Sequence, residues 1–226
     1  MILNKRSFSR EEPSREARSI YIFCEGIKRE PHYFSYFERM DTRINLKIHR
    51  LKPNDNNSPL GLYQIACKAV KPMNENNRCP QYSFQEGDEV WIVIDTDEDK
   101  LQSRKSQIED IRNKCAKETG WYIVESNPCF EVWLYYHFND SFENHDNLNK
   151  GNYWKSLVAE FDNGGGFNSK KHPALIDVAT ENAKSVYKEE TRDCPTVGAT
   201  QVYKLAESML PIILPKIQKA RLDAGF

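Results

Sequence analysis

An α/β fold with a mainly parallel sheet, covered by helices on both faces, is predicted by three observations. Short apolar runs alternate with helical segments of more than about ten residues. Several of the runs are continuously apolar, as strands buried on both faces are. Acidic side chains stand where two of these runs end, at the rim where open α/β sheets place their chemistry.

The elements follow in order. After a charged N-terminal stretch, read as flexible over 1–18, Ser19 to Cys24 forms an apolar strand that ends at Glu25-Gly26. Glu30-Pro31 opens a helix, with Pro31 suited to a first helical position and Tyr33, Phe34, Phe37 and Met40 on one packed face. A second strand, Leu46 to Leu51, alternates apolar and polar residues and runs into the turn-rich Pro53 to Pro59; a helix from Leu60 to Asn74 follows. Next come a strand at Val90 to Ile94, a helix over Leu101 to Thr119 that Gly120 stops, and a strand at Trp121 to Val124. Ser126-Asn127-Pro128 is read as the cap of a buried helix carrying Phe130, Val132, Trp133, Leu134 and Tyr136. Helical segments at Tyr153 to Phe161, Pro173 to Glu190 and Thr200 to Leu210 complete the chain. This gives an α/β domain over 19–140 and a helical annex over 141–226 packed on it.

Composition bounds the function only loosely. The 226 residues, 39% hydrophobic and 29% charged, can bury roughly 70–75% of their extended surface. A formal net charge of −1 supplies no overall attraction to nucleic acid or membrane, so phosphate binding would need local basic groups or a bound metal. The six cysteines show no CxxC spacing and argue against structural zinc. No apolar stretch is long enough for a signal or a membrane span, which leads to the expectation of a cytoplasmic protein with no membrane partner.

The chemistry gathers in Val90-Trp91-Ile92-Val93-Ile94-Asp95-Thr96-Asp97. Residues two apart on a strand share a side, so Asp95 and Asp97 can face one point beyond the sheet edge. Two close carboxylates repel unless a cation lies between them, and Mg²⁺ is typically held by one or two carboxylates, waters and phosphates. Glu25 would join them if the first and third strands are neighbours, with Gly26 allowing a sharp turn. Acids also end strands merely as helix caps, and the pattern alone leaves that open. An EF-hand loop fails, since its sixth and twelfth positions would be Lys100 and Ser106. A DxD glycosyltransferase stays open, although no sugar-nucleotide pocket is identified. Gly164-Gly165-Gly166 lacks the following Gly-Lys-Ser/Thr of a phosphate loop and reads as a turn; His137 reads as a hydrogen-bonded core histidine.

Three segments together resemble the RloB family: Phe23-Cys24-Glu25-Gly26-Ile27-Lys28-Arg29-Glu30-Pro31-His32-Tyr33-Phe34, then Trp91 to Asp97, then Ser126-Asn127-Pro128-Cys129-Phe130-Glu131-Val132-Trp133-Leu134-Tyr135-Tyr136-His137-Phe138. The resemblance implies a Toprim-like fold, with Glu25, Asp95 and Asp97 as catalytic and metal-binding acids holding Mg²⁺ or Mn²⁺. It implies Glu131 as a ligand to a second ion, Ser126 as a substrate contact, and Lys28 as a catalytic and substrate-binding cation. Arg29 departs from the family's usual Thr, and at a helix opening it is expected to bear on phosphate or capping contacts more than on metal. The implied function is a metal-dependent nuclease acting on DNA or RNA, tRNA included, in anti-phage defence. Its implied partners are nucleic acid, an RloA-like ATPase and, as a further option, a second copy of the chain. The alternative is a non-catalytic sensor or scaffold that docks on the ATPase through the annex, with Tyr153 and Trp154 as exposed aromatics. Lys216, Lys219 and Arg221 are expected to be solvated.

Overall fold

A computed structural model describes residues 9–71, 80–96, 98–188 and 194–224, with backbone alone over 98–103 and at 224. Four parallel strands, β1 (Arg18–Cys24), β2 (Ile44–His49), β3 (Glu89–Asp95) and β4 (Trp121–Ser126), form a sheet in the order β2-β1-β3-β4. The α/β prediction is met, and β1 and β3 are neighbours with Cys24 opposite Val93.

Helices α2 (Pro59–Val70) and α3 (Glu98–Cys115) cover one face, where Leu62, Ala66, Ile108 and Ile111 pack on Phe23, Val90, Ile92 and Ile94. Ser58 caps α2 by accepting from Gly61 N–H at 3.2 Å. The opposite face carries α1 (Arg29–Phe34), α4 (Glu131–Tyr135), α5 (Gly151–Ala159), the single turn α6 (Phe161–Gly164), α7 (Ile176–Val186) and α8 (Val202–Ala224). Trp133, Trp154, Ile176, Met209 and Ile213 from these helices share one core with Ile20, Ile22, Leu46 and Val93. The segment read as an annex thus supplies half of the sheet's burial.

Several local expectations change. Helix α1 begins at Arg29, which places Pro31 inside its first turn. The cap at Ser126 gives way, because β4 runs through Ser126 and α4, five residues long, opens at Glu131. Trp154 is fully buried with its indole N–H on the Leu148 carbonyl at 2.7 Å, so it offers no docking aromatic. Lys216 binds Glu11, and Arg221 pairs with Asp177 and the Ala174 carbonyl, tying α8 to α7, where solvated charge was expected. His137 is the core histidine expected: it lies 3.1 Å from both the Trp133 carbonyl and the Tyr33 hydroxyl. The carbonyl can only accept, so Nδ1 carries the proton and Nε2 accepts from Tyr33. No helix among the described residues is long and apolar enough to cross a membrane.

Candidate functional site

The strand tips position the acids. Glu25 follows β1 directly and stays in the sheet, its N–H on the Val93 carbonyl at 3.0 Å. Its side chain turns toward α3, where Arg104 grips both carboxylate oxygens at 2.9 and 2.5 Å, and Oε2 also accepts from Asp95 N–H at 3.3 Å. Arg104 is 8% exposed, so the pair is a buried, charge-assisted fork. Asp95 ends β3 and, as strand alternation requires, faces the other side, with Trp91 and Val93. There its carboxyl accepts from Phe130 N–H and lies within electrostatic reach of Glu30, Glu25 and Glu131. Burial first, then these three charges, push its pKa well above the usual carboxylate range.

Glu30 was not among the residues expected here. It sits in the first turn of α1, is 5% exposed, and reaches back to accept from Gly26 N–H at 3.1 Å. Burial, followed by Glu131 and Glu25, raises its pKa to about 7. The same contact explains Gly26. Its backbone has no positive φ, so the sharp-turn reading falls; instead a Cβ there would lie 2.0 Å from a Glu30 carboxylate oxygen. Available sequence signals were Gly26 itself and the second glutamate of Glu25-Gly26-Ile27-Lys28-Arg29-Glu30, which a helix start folds back over the strand tip.

Glu131 opens α4, is 6% exposed and faces Arg29 Nε at 3.7 Å. Arg29 therefore bears on a candidate ligand after all. Lys28 is exposed on the rim immediately before α1. Ser126 is fully buried with its hydroxyl 2.7 Å from that of Thr200, a link between β4 and the segment before α8; this replaces the expected substrate contact. Asp97 lies outside the described residues.

Four carboxylates from β1, α1, β3 and α4 thus meet at the carboxyl edge of the sheet. Their oxygen donors are the type that Mg²⁺ and Mn²⁺ take. Raised pKa values at Asp95 and Glu30 mark negative charge that the neighbouring arginines leave under-compensated. Among the described residues no three such groups stand close enough to grip one ion, with Glu25 committed to Arg104.

A pH dependence of stability follows. Folded Glu30 holds its proton to about pH 7, whereas the unfolded chain releases it near 4.5, so stability falls as pH rises through that window. The full loss is about 3 kcal/mol. His137 and His172, lowered by burial to about 3 and about 4, act with the opposite sign, removing stability as pH falls from 6.5 toward those values. With EDTA present, the melting temperature should therefore drop between about pH 6.5 and 8 in the wild type, and drop less in Glu30→Gln. An equal drop in both would remove Glu30 as the cause.

Comparison with known proteins adds one match. No curated protein and no solved structure matches the chain. The family model described as RloB-like protein matches residues 20–209, from β1 well into α8 and across all four carboxylates. The chain belongs to the RloB-like protein family.

Proposed function

We propose that the chain is a metal-dependent nuclease that hydrolyses phosphodiester bonds of DNA or RNA, tRNA included. The convergence of Glu25, Glu30, Asp95 and Glu131 at the sheet's carboxyl edge carries this reading. Asp95 and Glu30, with Glu131, are the oxygen donors best placed for Mg²⁺ or Mn²⁺, with Asp97 the further candidate from the sequence. Such an ion supplies Lewis acidity and a more acidic bound water. Glu30, poised near neutral pH, can take or return a proton at its carboxyl. Arg29 and Lys28 at the exposed rim suit phosphate oxygens. The family resemblance supports a Toprim-like topology, a role in anti-phage defence and control by an RloA-like ATPase.

The Glu25–Arg104 pair favours a second reading, a non-catalytic subunit of an ATPase-containing complex, because it neutralises Glu25 without an ion. One set of assays separates the two. Supercoiled plasmid, single-stranded DNA and total tRNA are each incubated with Mg²⁺, Mn²⁺ or EDTA, using wild type and Asp95→Asn, alone and with the ATPase. Cleavage that needs metal and vanishes in Asp95→Asn supports the nuclease. Phage protection that survives in Asp95→Asn, with no substrate cut by either protein, supports the scaffold.

A further inference from the structure

An open cavity of about 930 Å³ runs along the free edge of β4, between α3 and the segment leading into α8. It is separate from the carboxylates but begins beside them, since Thr96, the residue after Asp95, lines it. Three features of its wall define what it would hold. Tyr122 is 41% exposed, and its ring lies on Trp91 with centroids 4.4 Å apart and planes 25° apart, a flat aromatic platform at the cavity wall. Asn127 donates through Nδ2 to the Pro195 carbonyl at 2.9 Å, which fixes its amide; Oδ1 is left buried with no hydrogen-bond partner among the described residues. Arg112 is held rigid by a fork to Glu125 at 2.6 and 2.5 Å and by the Cys194 sulfur at 3.1 Å, so its guanidinium is already paired.

These features select a ligand chemistry. A buried acceptor without a donor costs free energy until a donor arrives, which disfavours a purely apolar occupant. The neutralised Arg112 disfavours a bare phosphate or sulfate. A planar ring bearing N–H donors satisfies both the platform and Oδ1, and nucleobases have that form.

We propose that this cavity binds a single unpaired nucleobase, stacked on Tyr122 and donating to Asn127 Oδ1. The source is either a free nucleotide or a base of a strand whose phosphate lies at the carboxylates. The second source rests on the nuclease reading; base binding itself does not. Trp91 and Trp121 both line the cavity, so their fluorescence reports its occupancy.

The test titrates wild type, Tyr122→Ala and Asp95→Asn with AMP, with UMP and with a short oligoadenylate, all in EDTA so that neither metal nor cleavage enters. Expected are saturable quenching, weaker binding of UMP than of AMP because the smaller ring stacks less, and a loss of about tenfold or more in Tyr122→Ala. Tyr122 is exposed, so its variant should fold; an unchanged circular dichroism spectrum verifies this. Equal affinity for AMP and the strand identifies a free nucleotide, and tighter binding of the strand identifies a nucleic acid base. Absence of saturable quenching by all three probes, or unchanged affinity in folded Tyr122→Ala, overturns the proposal. If binding persists in Asp95→Asn while no substrate is cleaved under any metal condition, base binding stands and the nuclease reading falls.

Discussion

Asp95→Asn is expected to stabilise the metal-free protein at about pH 8, on the order of 2 kcal/mol, while removing its response to Mn²⁺. Both effects have one cause. The Asp95 carboxylate is desolvated among Glu30, Glu25 and Glu131, and the attractive contact it makes in return is the Phe130 N–H. Asn is nearly the same shape and can still accept that N–H, but it carries no charge to bury. The sign follows from the raised pKa: the folded carboxyl gives up its proton less readily than the unfolded one. Its cost therefore grows as pH rises above the unfolded value of 3.8 and is absent well below it. Thermal melts in EDTA at about pH 4.5 and 8 should show the gain at the higher pH and little at the lower. Addition of Mn²⁺ should then raise the melting temperature of the wild type and leave the variant unmoved. A variant less stable than wild type at the higher pH would mean that Asp95 is a satisfied structural acid, and the ion-binding account would go with it.

What the sequence disclosed, and what it hid, divides along the range of the interactions. Val90 to Ile94 is legible as a strand because burial on both faces leaves no polar position, and the placement of Asp95 at its end follows from that alone. Alternation of strands and helices likewise gave the parallel sheet. Arg104 was not legible: it is 79 residues from Glu25 and meets it because α3 crosses the strand tip, which no local spacing encodes. Glu30 was overlooked for a different reason, its neighbour Pro31 having been taken as the helix opener. The C-terminal helix was cut short at Leu210 by Pro211, yet α8 continues to Ala224. Pro211 and Pro215 are four apart and both exposed, so the carbonyls of residues 207 and 211 that lose their N–H donors lie on one solvent-facing stripe where water can serve them. Trp154 was misjudged because an aromatic in a polar stretch reads as surface; here Tyr135, Phe142 and Tyr153 surround its ring.

Arg104→Gln should give the mirror image of Asp95→Asn, a weaker fold that binds a divalent ion more tightly. In the wild type the guanidinium satisfies both Glu25 oxygens from a position almost out of solvent, so any ion that draws on Glu25 must first displace a fixed positive charge. Gln can hydrogen-bond one oxygen but leaves the negative charge in place. Breaking a buried pair from one side costs about 3–5 kcal/mol, because the remaining carboxylate stays buried. That same uncompensated charge adds to the field of Asp95, Glu30 and Glu131 and makes a cation's arrival more favourable. Urea denaturation in EDTA should show the loss, and Mn²⁺ titration followed by calorimetry should show affinity rising by about tenfold or more, the size expected when one neighbouring positive charge is removed at short range. Supplying Mn²⁺ should recover a larger share of the lost stability in Arg104→Gln than it adds to wild type, since binding to the folded chain alone shifts its equilibrium. If the variant loses stability but binds Mn²⁺ no better, Arg104 is a strut between α3 and β1 and Glu25 lies outside the ion's coordination. If wild type and variant both ignore Mn²⁺, the four carboxylates hold no ion, and the chemistry at this sheet edge must be sought in the proton carried by Glu30.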